Sequence, residues 1–248
     1  MKLLPHKIEC YGLSDVGLVR PNNEDVFRTL PESQFYILTD GMGGHNAGEV
    51  AALRSVESMC AAIQHLPKQA SVEETCNLLR GAVSSTNELI YTLSHQNKAY
   101  SGMGTTLSCF LIRDETLIYA HVGDSRLYRM RDKLEQLTED HSLRHVMLTN
   151  EDQPSSELPA LLFRNVITRA IGTHPYVLPD IGVIPIYPGD IYLLCSDGLT
   201  DFVPEETIAH AMRSSPSLEA AAHLLVNCAL EKGGNDNVTV LLVKISRL

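Results

Sequence analysis

The chain has 248 residues, with 30 acidic side chains against 20 basic ones and a net charge of −10. That balance disfavours the phosphate backbone of nucleic acid as the main ligand. Apolar residues make up 44% of the chain, enough for a packed core. The cysteines Cys10, Cys60, Cys76, Cys109, Cys195 and Cys228 form no CxxC pair and no zinc-like spacing, so they read as small hydrophobes in a reduced setting. No apolar run approaches the roughly 18 residues of a membrane span, and the N-terminus lacks the apolar centre of a signal peptide. The expectation is a cytoplasmic protein, one domain over residues 1–248, without membrane contact.

In chain order, residues 7–14 and 34–39 read as short strands. A helix is predicted over 47–65, with Val56, Met59, Cys60 and Ile63 on one face at helical spacing. Ser71 followed by Glu74 makes a capping box for a second helix over about 71–95, whose Leu79, Val83, Ile90 and Leu93 form the buried stripe. A meander follows, with strands at 106–112, 117–122, 126–130 and 134–137. Residues 141–180 break the rhythm and read as an irregular, mobile insertion with one or two short helices. His141 and Arg169 stand near its borders, with no motif that assigns them a role. A strand at 190–195, helices at 204–213 and 217–231, and a strand at 238–245 complete the chain. Paired helices separated from hairpin-connected strands indicate an α+β layered sandwich, not alternating βαβ units.

Asp40, Asp124, Asp197 and Asp236 each stand beside the end of an apolar strand, flanked by glycine or a small polar residue. Apolar strands belong in a core, so their ends bring these carboxylates to the core's rim. Crowded carboxylates repel and lose hydration, a cost that cations between them offset. Oxygen-only donors suit hard divalent ions such as Mg²⁺ or Mn²⁺.

The glycines after Asp40 raise a nucleotide-binding alternative, which fails. A GxGxxG match from Gly41 would need glycine where Asn46 stands, and the helix is followed by another helix instead of a strand. The tripeptide Asn23-Glu24-Asp25 recurs at Asn150-Glu151-Asp152, but only the first copy has an arginine, Arg20, four residues before its glutamate. The second reads as solvated surface. Singly, each aspartate motif could be no more than a turn.

The ordered set Arg20, Asn23-Glu24-Asp25, Asp40 to Gly44, Gly104-Thr105-Thr106, Gly123 to Arg126, Ser196 to Leu199 and Gly234 to Thr239 closely resembles the metal-dependent protein phosphatase family (PPM, type 2C). The likeness is greatest to its compact bacterial members and runs from about residue 10 to 245. It implies a four-layer αββα sandwich, two stacked antiparallel sheets with a helix pair on each outer face, and makes 141–180 a flap beside the cleft. It also implies hydrolysis of phosphoserine and phosphothreonine. By similarity Asp40 bridges two Mn²⁺ or Mg²⁺ ions, Gly41 and Glu24 complete the shell of one, and Asp197 and Asp236 hold the other. Asp124, with Asp197, takes a third ion, Asp25 orients the ligands from behind, and Arg20 binds the substrate phosphate.

A water shared by two cations ionises near neutral pH and attacks phosphorus in line, so no cysteine nucleophile is needed, and no Cys-x5-Arg loop exists. Met42 stands where the animal branch has a histidine, which leaves His45 or a metal-bound water as the general acid. The partners implied are phosphorylated proteins and a bacterial Ser/Thr kinase, with the chain a monomer. The alternatives are a non-catalytic phosphoprotein-binding relative, or a phosphatase acting on phosphotyrosine or small molecules.

Overall fold

In the computed structural model, residues 6–43, 47–67, 69–149 and 166–247 are described. Along Val238–Arg247 successive side chains enter two different cores: Val238, Val240 and Leu242 point one way, and Leu241, Val243 and Ile245 the other. Ile191–Cys195 behaves alike, with Leu193 and Cys195 on one face and Tyr192 and Leu194 on the opposite one. Within Phe35–Met42, Phe35 and Ile37 oppose Tyr36 and Leu38. Side chains alternate faces along a strand, so a strand buried on both sides must be apolar throughout. That is why these segments read as unbroken apolar runs.

The strands are His6–Asp15 (β1), Asp25–Leu30 (β2), Phe35–Met42 (β3), Gly104–Thr105 (β4), Leu107–Arg113 (β5), Thr116–Val122 (β6), Arg126–Met130 (β7), Leu134–Gln136 (β8), Asp180–Pro185 (β9), Ile191–Cys195 (β10) and Val238–Arg247 (β11). One sheet has the order β1-β11-β10-β7-β8, and the other β2-β3-β5-β6-β9 with β4 paired to β3. Neighbouring strands are antiparallel in both. The helices are Ala47–Gln64 (α1), Val72–Gln96 (α2), Leu143–Thr149 (α3), Asp197–Thr200 (α4), Glu205–Ser214 (α5) and Leu218–Glu231 (α6).

Three apolar cores separate four layers. Residues of α1 and α2 pack on the β2–β9 sheet, those of α5 and α6 on the β1–β8 sheet, and the third core lies between the sheets. In that middle core Tyr36 meets Phe110 at a 4.9 Å centroid distance, and Phe110 meets Tyr192 of the other sheet at 5.8 Å. Ala47, Gly48, Ala51 and Ala52 let α1 sit close on β3, where the Thr39 hydroxyl donates to the Ala52 carbonyl. The predicted capping box closes α2: Glu74 N–H donates to Ser71 Oγ at 3.1 Å, and Ser71 N–H to Glu74 Oε2 at 2.7 Å. The sandwich expected from the sequence is therefore the one formed.

The structure departs from the sequence reading in three places. β3 continues past residue 39 to Met42, so Asp40 lies inside the strand, beyond the last β3–β5 pair at Leu38 and Ser108. The strand expected over 106–112 starts one residue later, at Leu107, because Thr106 N–H turns aside to the Asp40 carbonyl at 2.9 Å. Residues 180–185, expected to be irregular or left unassigned, form β9, the edge strand beside β6. Its Gly182, Pro185 and half-exposed Val183 hide the usual strand pattern. Of the expected insertion, 143–149 is helical, and residues 150–165 lie outside the described residues.

Candidate metal centre

β3 brings Asp40 to the end of its sheet, directly opposite Asp25 in the β2–β3 register. The Gly104-Thr105-Thr106 segment grips the Asp40 backbone. Asp40 N–H donates to Thr106 Oγ1 at 2.9 Å, and the Asp40 carbonyl accepts from the Thr105 hydroxyl at 2.8 Å. At Gly41 a Cβ would meet the Gly48 carbonyl at 2.2 Å and the Glu24 carbonyl at 2.8 Å; at Gly48 it would meet Glu24 Oε2 at 2.3 Å. Only glycines allow the start of α1, β3 and the Glu24 carboxylate to share that corner.

The second sheet supplies the opposite side. Asp197 opens α4 directly after β10, and Asp236 precedes β11. Asn237 ties this side to the β1–β2 loop: its side-chain amide donates to the Val16 and Asn22 carbonyls, and its Oδ1 accepts from Glu24 N–H at 2.8 Å. Ser196 Oγ donates to Asp25 Oδ2 at 2.8 Å and accepts from Thr239 N–H at 3.0 Å. Arg20 reaches in from the same loop and donates to Asp236 Oδ2 at 2.7 Å. Asp124 sits in the β6–β7 turn, 7% exposed.

These placements bring Asp25, Asp40, Asp124, Asp197 and Asp236 into one electrostatic cluster. Burial, then the charges of Asp25, Asp197, Asp124 and Asp236, hold the Asp40 carboxyl well above the ordinary carboxylate range. Asp197 is raised in the same way, by burial first and then by Asp124, Asp236 and Asp201. Burial pushes Asp25 up to about 6 against hydrogen bonds from Thr239 and Ser196. Asp124 is pushed up to about 7 by burial and then by Asp140. Arg20 is drawn the other way: burial opposes its charge, but Asp236, Asp40 and Asp197 hold it more firmly protonated than usual.

Among the described residues no three Asp, Glu, His or Cys side chains converge as a ready-made cage for an ion. Part of the cluster is engaged within the protein instead, with Asp236 on Arg20 and Asp25 on Ser196. The donor set nevertheless fits hard divalent cations. Every group in it is an oxygen, and Asp25 Oδ1 and Asp124 Oδ1 are buried with no hydrogen-bond partner. An orphaned buried acceptor costs about 1–3 kcal/mol, which a cation would relieve.

The sequence reading passed over Asn237, Ser196, Thr106 and Asp201 as individual contributors. Asp201 stands four residues after Asp197, a spacing that puts both on one helical face, and it lines a crevice of about 10 Å³ with Asp124, Arg126, Asp140 and Asp197. His45 lies outside the described residues; Met42 pairs with Gly104. Burial pushes the thiols of Cys109 and Cys195 up to about 12, which makes them poor nucleophiles. A cavity of about 310 Å³ lies elsewhere, between β1 and the α5–α6 turn. Two of its charged groups are satisfied locally, Glu9 by Lys7 and Arg213 by the Asp132 carbonyl. The carboxylate cluster, with its unsatisfied oxygens, is the better mark of chemistry.

Comparison with known proteins agrees with this geometry. The serine/threonine phosphatase stp of Listeria monocytogenes is 36% identical over 235 residues, 93% of each chain. The protein phosphatase PhpP of Streptococcus pneumoniae is 37% identical over 238 residues, 94% of this chain and 96% of that one. The crystal structure of the catalytic domain of the serine/threonine protein phosphatase PstP, in complex with two manganese ions, superposes with a TM-score of 0.84 at 35% identity. That superposition covers 96% of this chain and 98% of that one. Residues 20–232 match the family described as Protein phosphatase 2C, and the chain belongs to that family.

Proposed function

We propose that the chain hydrolyses phosphoserine and phosphothreonine in proteins, using two divalent cations, Mn²⁺ or Mg²⁺, held by the carboxylates at the ends of the two sheets. The observation that carries this reading is the charge coupling among five aspartates placed by both sheets, two of them with an unpartnered buried oxygen. Bound cations would supply an acidified water as nucleophile and positive charge for the phosphoryl oxygens.

The chain's own residues set the geometry. Asp40, its backbone gripped by Thr105 and Thr106, would be the ligand shared by the two ions, with the Gly41 carbonyl, Glu24, Asp197 and Asp236 holding them alongside it. Asp25 stands behind Asp40 and is held by Ser196, so it fixes the bridging carboxylate. Asp124 and Asp197 border one crevice and would together hold a third ion. Arg20, half-exposed and held at one edge by Asp236, presents its guanidinium to the substrate phosphate, where a planar fork matches two oxygens. A non-catalytic binding role is disfavoured by the presence of every one of these carboxylates.

Residues 1–248 are read as one catalytic domain, supported by three contiguous cores shared between the layers. The substrates proposed are a bacterial Ser/Thr kinase and its targets, acted on by a monomer in the cytoplasm. Among the described residues no helix is long and apolar enough to cross a membrane. The test is release of phosphate from a phosphothreonine peptide with and without Mn²⁺. Turnover that needs the metal is expected; a protein that binds Mn²⁺ and releases nothing would overturn the assignment.

A further inference from the structure

Asp124 is held in place from behind. The preceding residue, Gly123, has φ +116°, and a Cβ there would meet Thr106 Cγ2 at 2.6 Å, so the turn is tightly confined. Both backbone groups of Gly123 are bound by one residue. The Gly123 carbonyl accepts from His141 N–H at 2.7 Å, and Gly123 N–H donates to His141 Nδ1 at 3.1 Å. An amide can only donate, so Nδ1 is the bare nitrogen and Nε2 carries the ring proton. Nε2–H then donates to Asp180 Oδ2 at 3.0 Å, and Arg169 Nη1, which lies 2.9 Å from the same Nε2, donates to Asp180 Oδ1 at 2.8 Å.

The same histidine is fastened on its remaining sides. Its carbonyl accepts from Thr168 N–H at 2.8 Å, and its ring lies 4.8 Å from that of the buried His121. His121 is itself anchored, with Nε2 on the Glu139 carbonyl and Nδ1 on Ser108 Oγ. His141 thus joins three parts of the chain: the turn bearing Asp124, the 166–169 segment, and the first residue of β9. Asp124 Oδ1 has no partner of its own, so the aim of that carboxylate depends on how its backbone is held.

We propose that His141 is a positioning residue: clamped by Asp180 and Arg169, it fixes the Gly123-Asp124 turn so that the Asp124 carboxylate faces the metal centre. This rests on the reading of Asp124 as a metal ligand. It also makes the segment after residue 166 a mechanical neighbour of that ligand.

The experiment is Mn²⁺ titration of the full chain, read from the EPR signal of the free ion, alongside kcat and KM on a phosphothreonine peptide and a thermal melt for each variant. Asp124→Asn removes the ligand, His141→Ala removes the clamp, and His141→Asn returns an acceptor near the Nδ1 position for Gly123 N–H. Expected is loss of the same weakest Mn²⁺ in Asp124→Asn and His141→Ala, with affinity down at least about tenfold in the latter. In His141→Ala kcat falls while KM holds, and His141→Asn recovers most of the binding. A folded His141→Ala protein with wild-type Mn²⁺ affinity and kcat overturns the clamp if Asp124→Asn still loses the ion. If Asp124→Asn itself binds Mn²⁺ unchanged, the metal reading beneath the clamp is the part that fails. Should His141→Ala not fold, Arg169→Ala and Asp180→Asn, at the exposed end of the clamp, carry the test. A smaller loss in the same direction supports it, and unchanged Mn²⁺ affinity in both overturns it.

Discussion

Asp40, partly buried, lies in the field of four other carboxylates, and that one fact sets two opposed expectations. If Asp40 is the ligand shared by two cations, replacing it with asparagine removes the shared charge, so Asp40→Asn should cut kcat by far more than tenfold, about 1.4 kcal/mol of barrier. The same change relieves repulsion in the metal-free fold, so the apo variant should melt at a higher temperature than the apo wild type. Kinetics and a thermal melt in EDTA check the pair; retained activity would remove Asp40 from the bridge. Arg20 is the converse case, a cation among anions, paired with Asp236 at 2.7 Å. If it binds the phosphate in the ground state, Arg20→Ala should raise KM severalfold with little change in kcat, and an unchanged KM would take Arg20 out of the phosphate site. Both proposed roles rest on the order of motifs along the chain. Asn237 and Ser196 were not legible there, because their part is to bond backbone and carboxylate across gaps of 213 and 171 residues, a relation no local pattern encodes.

Elements follow the same division between what burial writes into a strand and what it leaves out. β10 is buried on both faces, Leu193 against the helices and Leu194 between the sheets, each 0% exposed. Leu193→Ala and Leu194→Ala should therefore both destabilise by about 2–5 kcal/mol, although neighbours on a one-sided strand would differ sharply. β9 supplies the contrast. Val183 is 46% exposed at the sheet's edge, and Val183→Ala should stay within about 0.5 kcal/mol. Urea unfolding of the three variants decides it, and a cheap Leu193→Ala or Leu194→Ala would deny the double-sided core. The contrast also explains why β3, β10 and β11 were readable as apolar runs and α2 from its Ser71 cap, whereas β9 was missed. An edge strand with glycine, proline and exposed valine carries no alternation to detect, and its pairing partner β6 lies more than fifty residues earlier in the chain.

For the whole molecule, the two sheets are stable in their cores and strained at their shared rim, and pH should expose the difference. Asp25 and Asp124 have carboxyls raised to about 6 and about 7, and Asp40 and Asp197 are also raised, by burial and mutual charge. A raised acid keeps a proton in the folded chain that the unfolded chain releases near pH 4. The metal-free fold therefore loses stability from these groups as pH climbs from about 4 through 7, and the loss persists above. His121 acts with the opposite sign. Burial lowers it to about 4, so its contribution is intact above the ordinary histidine value near 6.5 and is lost as pH falls below that. Comparing melts with and without Mn²⁺ at each pH cancels the histidine and isolates the rim. Cations bind the deprotonated carboxylates and stabilise by mass action. The rise in melting temperature on adding Mn²⁺ should thus be several degrees larger at pH 8 than at pH 5, and EDTA should abolish it at both. An equal rise at the two values, or none, would mean that ions do not bind among these five aspartates.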